Sequence, residues 1–397
     1  MTTIVKLSLL LAALFISCPS GTTPSSASQQ PLFTNAQGSP VPVQGGPNNV
    51  LISDMNNDRK LDLVVSCVRA RSITVLEGKG NGQFGAALST TTLAETPNEM
   101  ALGDVNGDGK LDVAVASHDS YGVTLLTGDG HGGLTKVLTS PIMMRRLGEH
   151  PHTHGLAVVD VNRDNKPDLI TCNATDNDIS IAFGDGRGSF TRAPQSYPVG
   201  PSPYPFGVGD VNNDGWLDIV ATATATGPLR RQQLPLSRAL TLLLSDAKGS
   251  FSTRQLPMRT GEPWFAAIAD LNRDGKADIL ATHHEQSALT VMMGDGRGGF
   301  TEANGSPFDA GAAVYMFVMA DVDRNGTIDV VATSGNSVRV MLGDGRGGFK
   351  PAASIAVGPG AWRMAAGDLN GDGAVDLVTS NSEANNLSVL VGKPVGP

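Results

Sequence analysis

The chain has 397 residues, room for two or three ordinary domains or one large repeat architecture. Its 48 glycines and 24 prolines, with only 5% aromatics, break the apolar stretches into short runs; this argues against a helix-dominated fold and for an all-β one. A net charge of −9 provides no basic face, so nucleic acid is not an expected partner.

In chain order, Lys6 is the only charge before the apolar run Leu7 to Ile16. That run is shorter than the ~20 residues a bilayer span needs, so residues 1–18 read as an export signal. Leu14-Phe15-Ile16-Ser17-Cys18 resembles a bacterial lipoprotein cleavage box, with Cys18 as the lipidated residue and Phe15 where Leu is usual. Ordinary secretion is the alternative. Residues 19–31 are rich in Ser, Thr and Pro, the composition of a flexible tether. The expected location is therefore outside the cytoplasm, either secreted or anchored by lipid at the outer surface or periplasmic membrane.

From residue 32 to 393 one acidic pattern, D-x-[DN]-x-[DN]-x-x-x-D, recurs seven times. It falls at Asp54-Asn56-Asp58-Asp62, Asp104-Asn106-Asp108-Asp112, Asp160-Asn162-Asp164-Asp168 and Asp210-Asn212-Asp214-Asp218. It continues at Asp270-Asn272-Asp274-Asp278, Asp321-Asp323-Asn325-Asp329 and Asp368-Asn370-Asp372-Asp376. The mean spacing, about 52 residues, is that of a four-stranded propeller blade. Each repeat reads as strand A, acidic loop, strand B, a B–C loop, strand C, a glycine turn and strand D. Such a unit cannot bury its faces alone and must stack on neighbours. The last repeat ends after strand C, whereas Leu32-Phe33 and Val41-Pro42-Val43 precede the first strand A. The expected fold is thus an all-β, seven-bladed β-propeller of four-stranded antiparallel blades, the last closed by an N-terminal strand. Closure leaves no open sheet edge; an open solenoid is the alternative.

Gly103-Asp104-Val105-Asn106-Gly107-Asp108-Gly109 and turns such as Gly343-Asp344-Gly345-Arg346-Gly347-Gly348-Phe349 resemble the FG-GAP/VCBS repeats of integrin α-subunit propellers and of many bacterial exported proteins. The resemblance implies fold and metal, and no single activity.

Ca²⁺ takes six to eight oxygens, and the four acidic-loop residues at positions 1, 3, 5 and 9 offer side-chain oxygens to one point. Up to seven structural Ca²⁺ ions are expected, which would carry the formal charge from −9 to about +5. Position 6 calls for a left-handed backbone; it is Gly in five loops, Asn165 in the third and Arg59 in the first. Loop one should therefore bind weakest. The other two cysteines, Cys67 and Cys172, lie in non-adjacent repeats and are expected to be buried free thiols.

Strand order places the acidic loops and glycine turns on one face, and the irregular D–A and B–C loops on the other. Two insertions, about 141–155 and 225–239, belong to that second face. Candidate ligand-binding residues there are His118, His152, His154, Tyr204, Trp264, His283, His284, Trp362 and Arg363, with His118 and both residues of the His283-His284 pair in B–C loops. His152 and His154 could share a metal, although the histidine spacing matches no zinc signature. The readings in competition are polar loops over blade-packing aromatics, a surface for an extracellular glycan or protein, and a catalytic centre such as a polysaccharide lyase. No G-x-S-x-G elbow or phosphate-cradling loop is present, and the glycine turns open no helix. The protein is expected to act as a monomeric binding, adhesion or scaffold module, touching membrane only through a lipid anchor.

Overall fold

The computed structural model describes residues 31–145, 152–224, 238–246, 249–259, 261–283 and 286–393. The export signal with Cys18, nearly all of the tether, His284, and parts of both insertions lie outside the described residues. Among the described residues no helix is long and apolar enough to cross a membrane.

Seven antiparallel sheets form the blades of a β-propeller. In blade one the strands are A Pro47–Ser53, B Asp62–Cys67, C Ser72–Gly78 and D Phe84–Thr92. Strand B is wholly buried, whereas strand D alternates half-buried and exposed residues, as an outermost strand must. The later A strands are Pro97–Gly103, Thr153–Val159, Gly207–Gly209, Pro263–Ala269, Phe317–Ala320 and Ala361–Gly367, and these line the axis. In blades two, five and seven the outer strand is split into two short pieces.

The ring closes as the sequence requires. Phe33–Asn35 and Val41–Pro42 both pair antiparallel with Asn386–Gly392, the C strand of the last blade. Apolar side chains gather in seven clusters, one per gap between neighbouring blades. The closing gap is packed like the rest: Val50, Val65 and Cys67 of blade one meet Val378 and Val389 of blade seven, with Ala36 and Val43 from the N-terminal segment. Each buried Val or Leu contributes about 1.5–3 kcal/mol, so closure rests on the same force as each interior gap. Cys67 and Cys172 are buried free thiols.

Part of the first expected insertion is regular structure. Ile142–Met143 pairs with Gly122 and Val123 as the outer edge of blade two, and Thr153–Val159 is the inner strand of blade three. The stretch resembles loop in sequence because Ile142–Met143 is only two residues long and Thr153-His154-Gly155 begins its strand without an apolar residue. His283 also departs from its expected loop position. It ends strand B of blade five, fully buried, because the apolar run Asp278–His283 continues pairing through Pro263.

Candidate functional site

The two ends of the central channel are chemically different. At one end stand the seven acidic loops. In every loop the last aspartate is fully buried: Asp62, Asp112, Asp168, Asp218, Asp278, Asp329 and Asp376. One of its oxygens accepts the N–H of loop position 2, as Asp168 Oδ2 does from Val161 at 3.0 Å. The other accepts an N–H at the end of strand C, as Asp168 Oδ1 does from Gly184 at 2.9 Å. Burial pushes this carboxyl up, to about 6 in Asp112, Asp168, Asp218, Asp278 and Asp376 and to about 7 in Asp329, against the lowering effect of those hydrogen bonds.

Position 2 is a buried apolar anchor throughout: Met55, Val105, Val161, Val211, Leu271, Val322 and Leu369. At Met55, Val105, Val211 and Leu369 the carbonyl receives the glycine turn of the next blade, as in Gly132 N to Met55 O (3.1 Å) and, across the ring closure, Gly82 N to Leu369 O (3.1 Å). The glycine ending strand C is dictated by close approach, since a Cβ on Gly184 would sit 2.1 Å from the Pro167 carbonyl oxygen.

The oxygens of positions 1, 3 and 5 turn inward within each loop. Asp104 Oδ2 accepts the Gly109 N–H, Asn106 Oδ1 the Asp108 N–H, and Asp108 Oδ1 the Lys110 N–H. Position 6 is left-handed even where it is not glycine, with φ of 69° at Arg59 and 63° at Asn165. Lys60, Lys110, Lys166 and Lys276 each pair with the position-5 aspartate of their own loop. Loop six carries no such lysine, and its Asp321, Asp323 and Asp329 bring one oxygen each to within 4.8 Å of one another. The donor set, all oxygens on a tightly curled backbone, fits a hard divalent cation, with loop six fitting best.

The opposite mouth is built from β-bulges. Counting six residues back from each loop's first aspartate gives Asn48, Asn98, His154, Tyr204, Trp264, Tyr315 and Trp362. In five inner strands the register shifts at this point, leaving Asn48, Asn98, His154, Trp264 and Trp362 as extra residues within the bulges. A bulge re-aims a side chain that a regular strand would commit to one face. The bulges are held from behind. A hydroxyl of the preceding blade's strand B donates to the carbonyl of the mouth residue: Ser66 to Asn98, Thr222 to Trp264, Thr282 to Tyr315, Thr333 to Trp362 and Ser380 to Asn48. In blade three the Cys172 thiol takes this role toward the Tyr204 carbonyl at 3.2 Å, and in blade two Ala116 occupies the equivalent position.

The mouth divides into three sectors. The aromatic sector runs round four blades: Tyr204 lies 3.9 Å from Trp264 between ring centroids, Trp264 lies 6.1 Å from Tyr315, and Tyr315 lies 5.9 Å from Trp362. The polar sector lines an axial cavity of about 200 Å³. There Arg363 of blade seven forms an ion pair with Glu99 of blade two, and Asn49 of blade one donates to the other Glu99 oxygen at 3.2 Å. The Arg363 and Glu99 side chains are only 11% and 7% exposed. Burial draws the Arg363 guanidinium down to about 9, which leaves it charged at neutral pH.

The third sector is histidine. His118 lies 4.0 Å from His152, and His152 lies 4.3 Å from His154, both pairs edge to face. His154 then stacks on Tyr204 at 4.2 Å, joining this sector to the aromatic one. Burial holds all three imidazoles below their ordinary range, His152 at about 4, and mutual repulsion of His152 with His118 and of His154 with both adds to it.

The structure therefore gathers His118, His152, His154, Tyr204, Trp264, Trp362 and Arg363 at one mouth. It keeps His283 apart, where Nε2 lies 2.7 Å from Thr290 Oγ1 and the ring packs beneath Gly261. Sequence reasoning missed Asn48, Asn49, Asn98 and Glu99. Aligning the repeats on the first aspartate of each loop would have placed them in the same two columns as Trp362 and Arg363.

These features define a class: a seven-bladed propeller of acidic-loop repeats with a built mouth on its opposite face. The FG-GAP-like repeat matches residues 54–115, 104–171, 160–221, 270–332 and 321–379, and the chain belongs to that family. No curated protein matches it. Among solved structures it is similar to an Agrocybe aegerita lectin specific for non-reducing terminal N-acetylglucosamine, at 16% identity and TM-score 0.53, over 79% of this chain and 81% of that one. It is also similar to BBS1N in complex with ARL6DN, at 12% identity and TM-score 0.64, over 92% and 98%. A third similarity is to catalytically inactive virginiamycin B lyase from Staphylococcus aureus, at 11% identity and TM-score 0.53, over 89% and 98%. At these identities the likeness is one of fold.

Proposed function

We propose that this is an exported propeller, stabilised by Ca²⁺ in its acidic loops, that captures an extracellular glycan through the mouth opposite those loops. The observation that carries the reading is the ring of residues six positions before each acidic loop, five of them in bulges. All seven blades deliver a side chain to one level, and four successive blades deliver an aromatic there. The half-buried rings of Tyr204, Tyr315 and Trp362 offer a sugar ring apolar area, while Asn48 and the tyrosine hydroxyls supply hydrogen bonds that orient it. Trp264 also belongs to the core between blades five and six, and Tyr204, Tyr315 and Trp362 pack against that core while keeping part of their surface open.

The Ca²⁺ ions in this reading hold the loops and relieve repulsion among their carboxylates, and they take no part in capture. The test is a glycan array probed with the purified, Ca²⁺-supplied propeller. Binding to a restricted set of glycans is expected, falling at least about tenfold in Trp362→Ala, the loss of a stacking anchor. Capture of no glycan, with a protein partner recovered instead, would overturn the glycan assignment.

A carbohydrate-active enzyme would use the same mouth, and the contact of His154 with Tyr204 favours a lyase within that class. Release of unsaturated sugars from uronate polymers, read by ultraviolet absorbance, separates turnover from capture.

A further inference from the structure

The histidine sector contains more than ligand capture requires. His118 comes from the loop after strand B of blade two, and His152 and His154 from the start of blade three. Each offers one ring nitrogen, and the three nitrogens lie within 4.8 Å of one another. Their backbones are fixed: His118 N donates to Thr96 O at 3.0 Å, Ala174 N donates to His152 O at 2.7 Å, and Asn98 Nδ2 holds Thr153 O at 2.9 Å.

The nearest carboxylate in sequence, Asp119, is engaged elsewhere, accepting from Thr96 Oγ1 at 2.7 Å and Ser117 Oγ at 2.7 Å. Among the described residues no ion pair involves any of the three histidines. Crowded edge to face, the three imidazoles gain little apolar burial from each other, and an unprotonated imidazole has a nitrogen lone pair able to bind a metal. Access is graded, with His118 outermost and His154 deepest at 9% exposed.

From this juxtaposition we propose that His118, His152 and His154 form a three-histidine site for one first-row divalent transition metal, of the Zn²⁺ class. Imidazole nitrogen selects such ions over the Ca²⁺ suited to the all-oxygen loops at the other end. Three protein ligands leave a fourth tetrahedral position for water or a ligand oxygen. The site stands on its own geometry, and its occupation is independent of which molecule the aromatic sector captures.

The test uses untagged protein with its loops saturated by Ca²⁺, stripped of transition metal and titrated with Zn²⁺, with Co²⁺ as a spectroscopic probe. One equivalent per chain is expected, with a visible Co²⁺ band. His118→Ala and His152→Ala should each weaken binding by at least about 100-fold. His131→Ala, in a glycine turn on the loop face, should leave it unchanged, as should Trp362→Ala, which separates the metal site from glycan capture. His118 is the outermost of the three, so its variant remains informative should His152→Ala fail to fold. No stoichiometric Zn²⁺ in the wild type, or undiminished binding in both histidine variants, would overturn the proposal.

Discussion

The acidic-loop face and the opposite mouth come from the same seven repeats and obey different rules. On the loop face each blade repeats one solution, a buried aspartate and an apolar anchor at position 2, and at Met55, Val105, Val211 and Leu369 a glycine turn reaches in from the next blade. At the mouth five blades share the bulge but the side chain varies: Asn, Asn, His, Tyr, Trp, Tyr and Trp stand at the same position of the seven repeats. Repetition marks what every blade needs in order to fold. Variation on a shared scaffold marks what the molecule presents to others.

The comparison breaks most severely where the mouth is also structural. Arg363→Ala leaves Glu99 buried without its cation and should cost about 3–5 kcal/mol in denaturant unfolding. Adding Glu99→Gln should recover a large part of that loss, because the uncompensated charge is gone. A negligible cost for the single variant would show the pair to be well solvated.

On the loop face, Asp168→Ala strands the N–H groups of Val161 and Gly184. A loss of about 2–5 kcal/mol is expected, with ligand binding intact below the new melting temperature. Loss of binding with full stability would erase the proposed division of labour.

A smaller effect concerns pH. The final aspartates titrate higher folded than unfolded, up to about 7 for Asp329. Stability drawn from their protonated form is fully present below the unfolded value near 3.8 and is lost as pH rises through the folded values of about 6 to 7. The Ca²⁺-free protein should therefore weaken from pH 5 to pH 8, while Ca²⁺ offsets that loss by binding the ionised carboxylates. Chelation should lower the melting temperature more at pH 7.5 than at pH 5; an equal or reversed drop would contradict the account. The smallest effect is local. Arg59→Gly relieves a left-handed non-glycine residue and should stabilise loop one by up to about 1 kcal/mol, seen as tighter Ca²⁺ retention.

Blade number, strand order and ring closure were legible because each rests on a local pattern repeated in register. The split last blade could be read from an unpaired Val41-Pro42 before the first repeat and a missing strand after Leu387. The mouth was half legible. Tyr204, Trp264 and Trp362 stand out as large aromatics in a chain with few, whereas Asn48, Asn49, Asn98 and Glu99 resemble ordinary loop residues until the bulges place them. His283 misled because a histidine at the end of an apolar run looks the same whether it caps a buried strand or opens a loop. The meeting of His118 with His152 and His154 depends on contact between two blades, which no spacing within one repeat encodes.

The division between the two faces is tested most directly by measuring glycan-array binding and thermal stability side by side for Trp362→Ala and Asp321→Ala. The mouth variant should lose binding while retaining Ca²⁺-dependent stability. The loop variant should lose Ca²⁺ and melt lower, yet bind normally when folded. Binding that disappears with Asp321→Ala and survives Trp362→Ala would contradict the account.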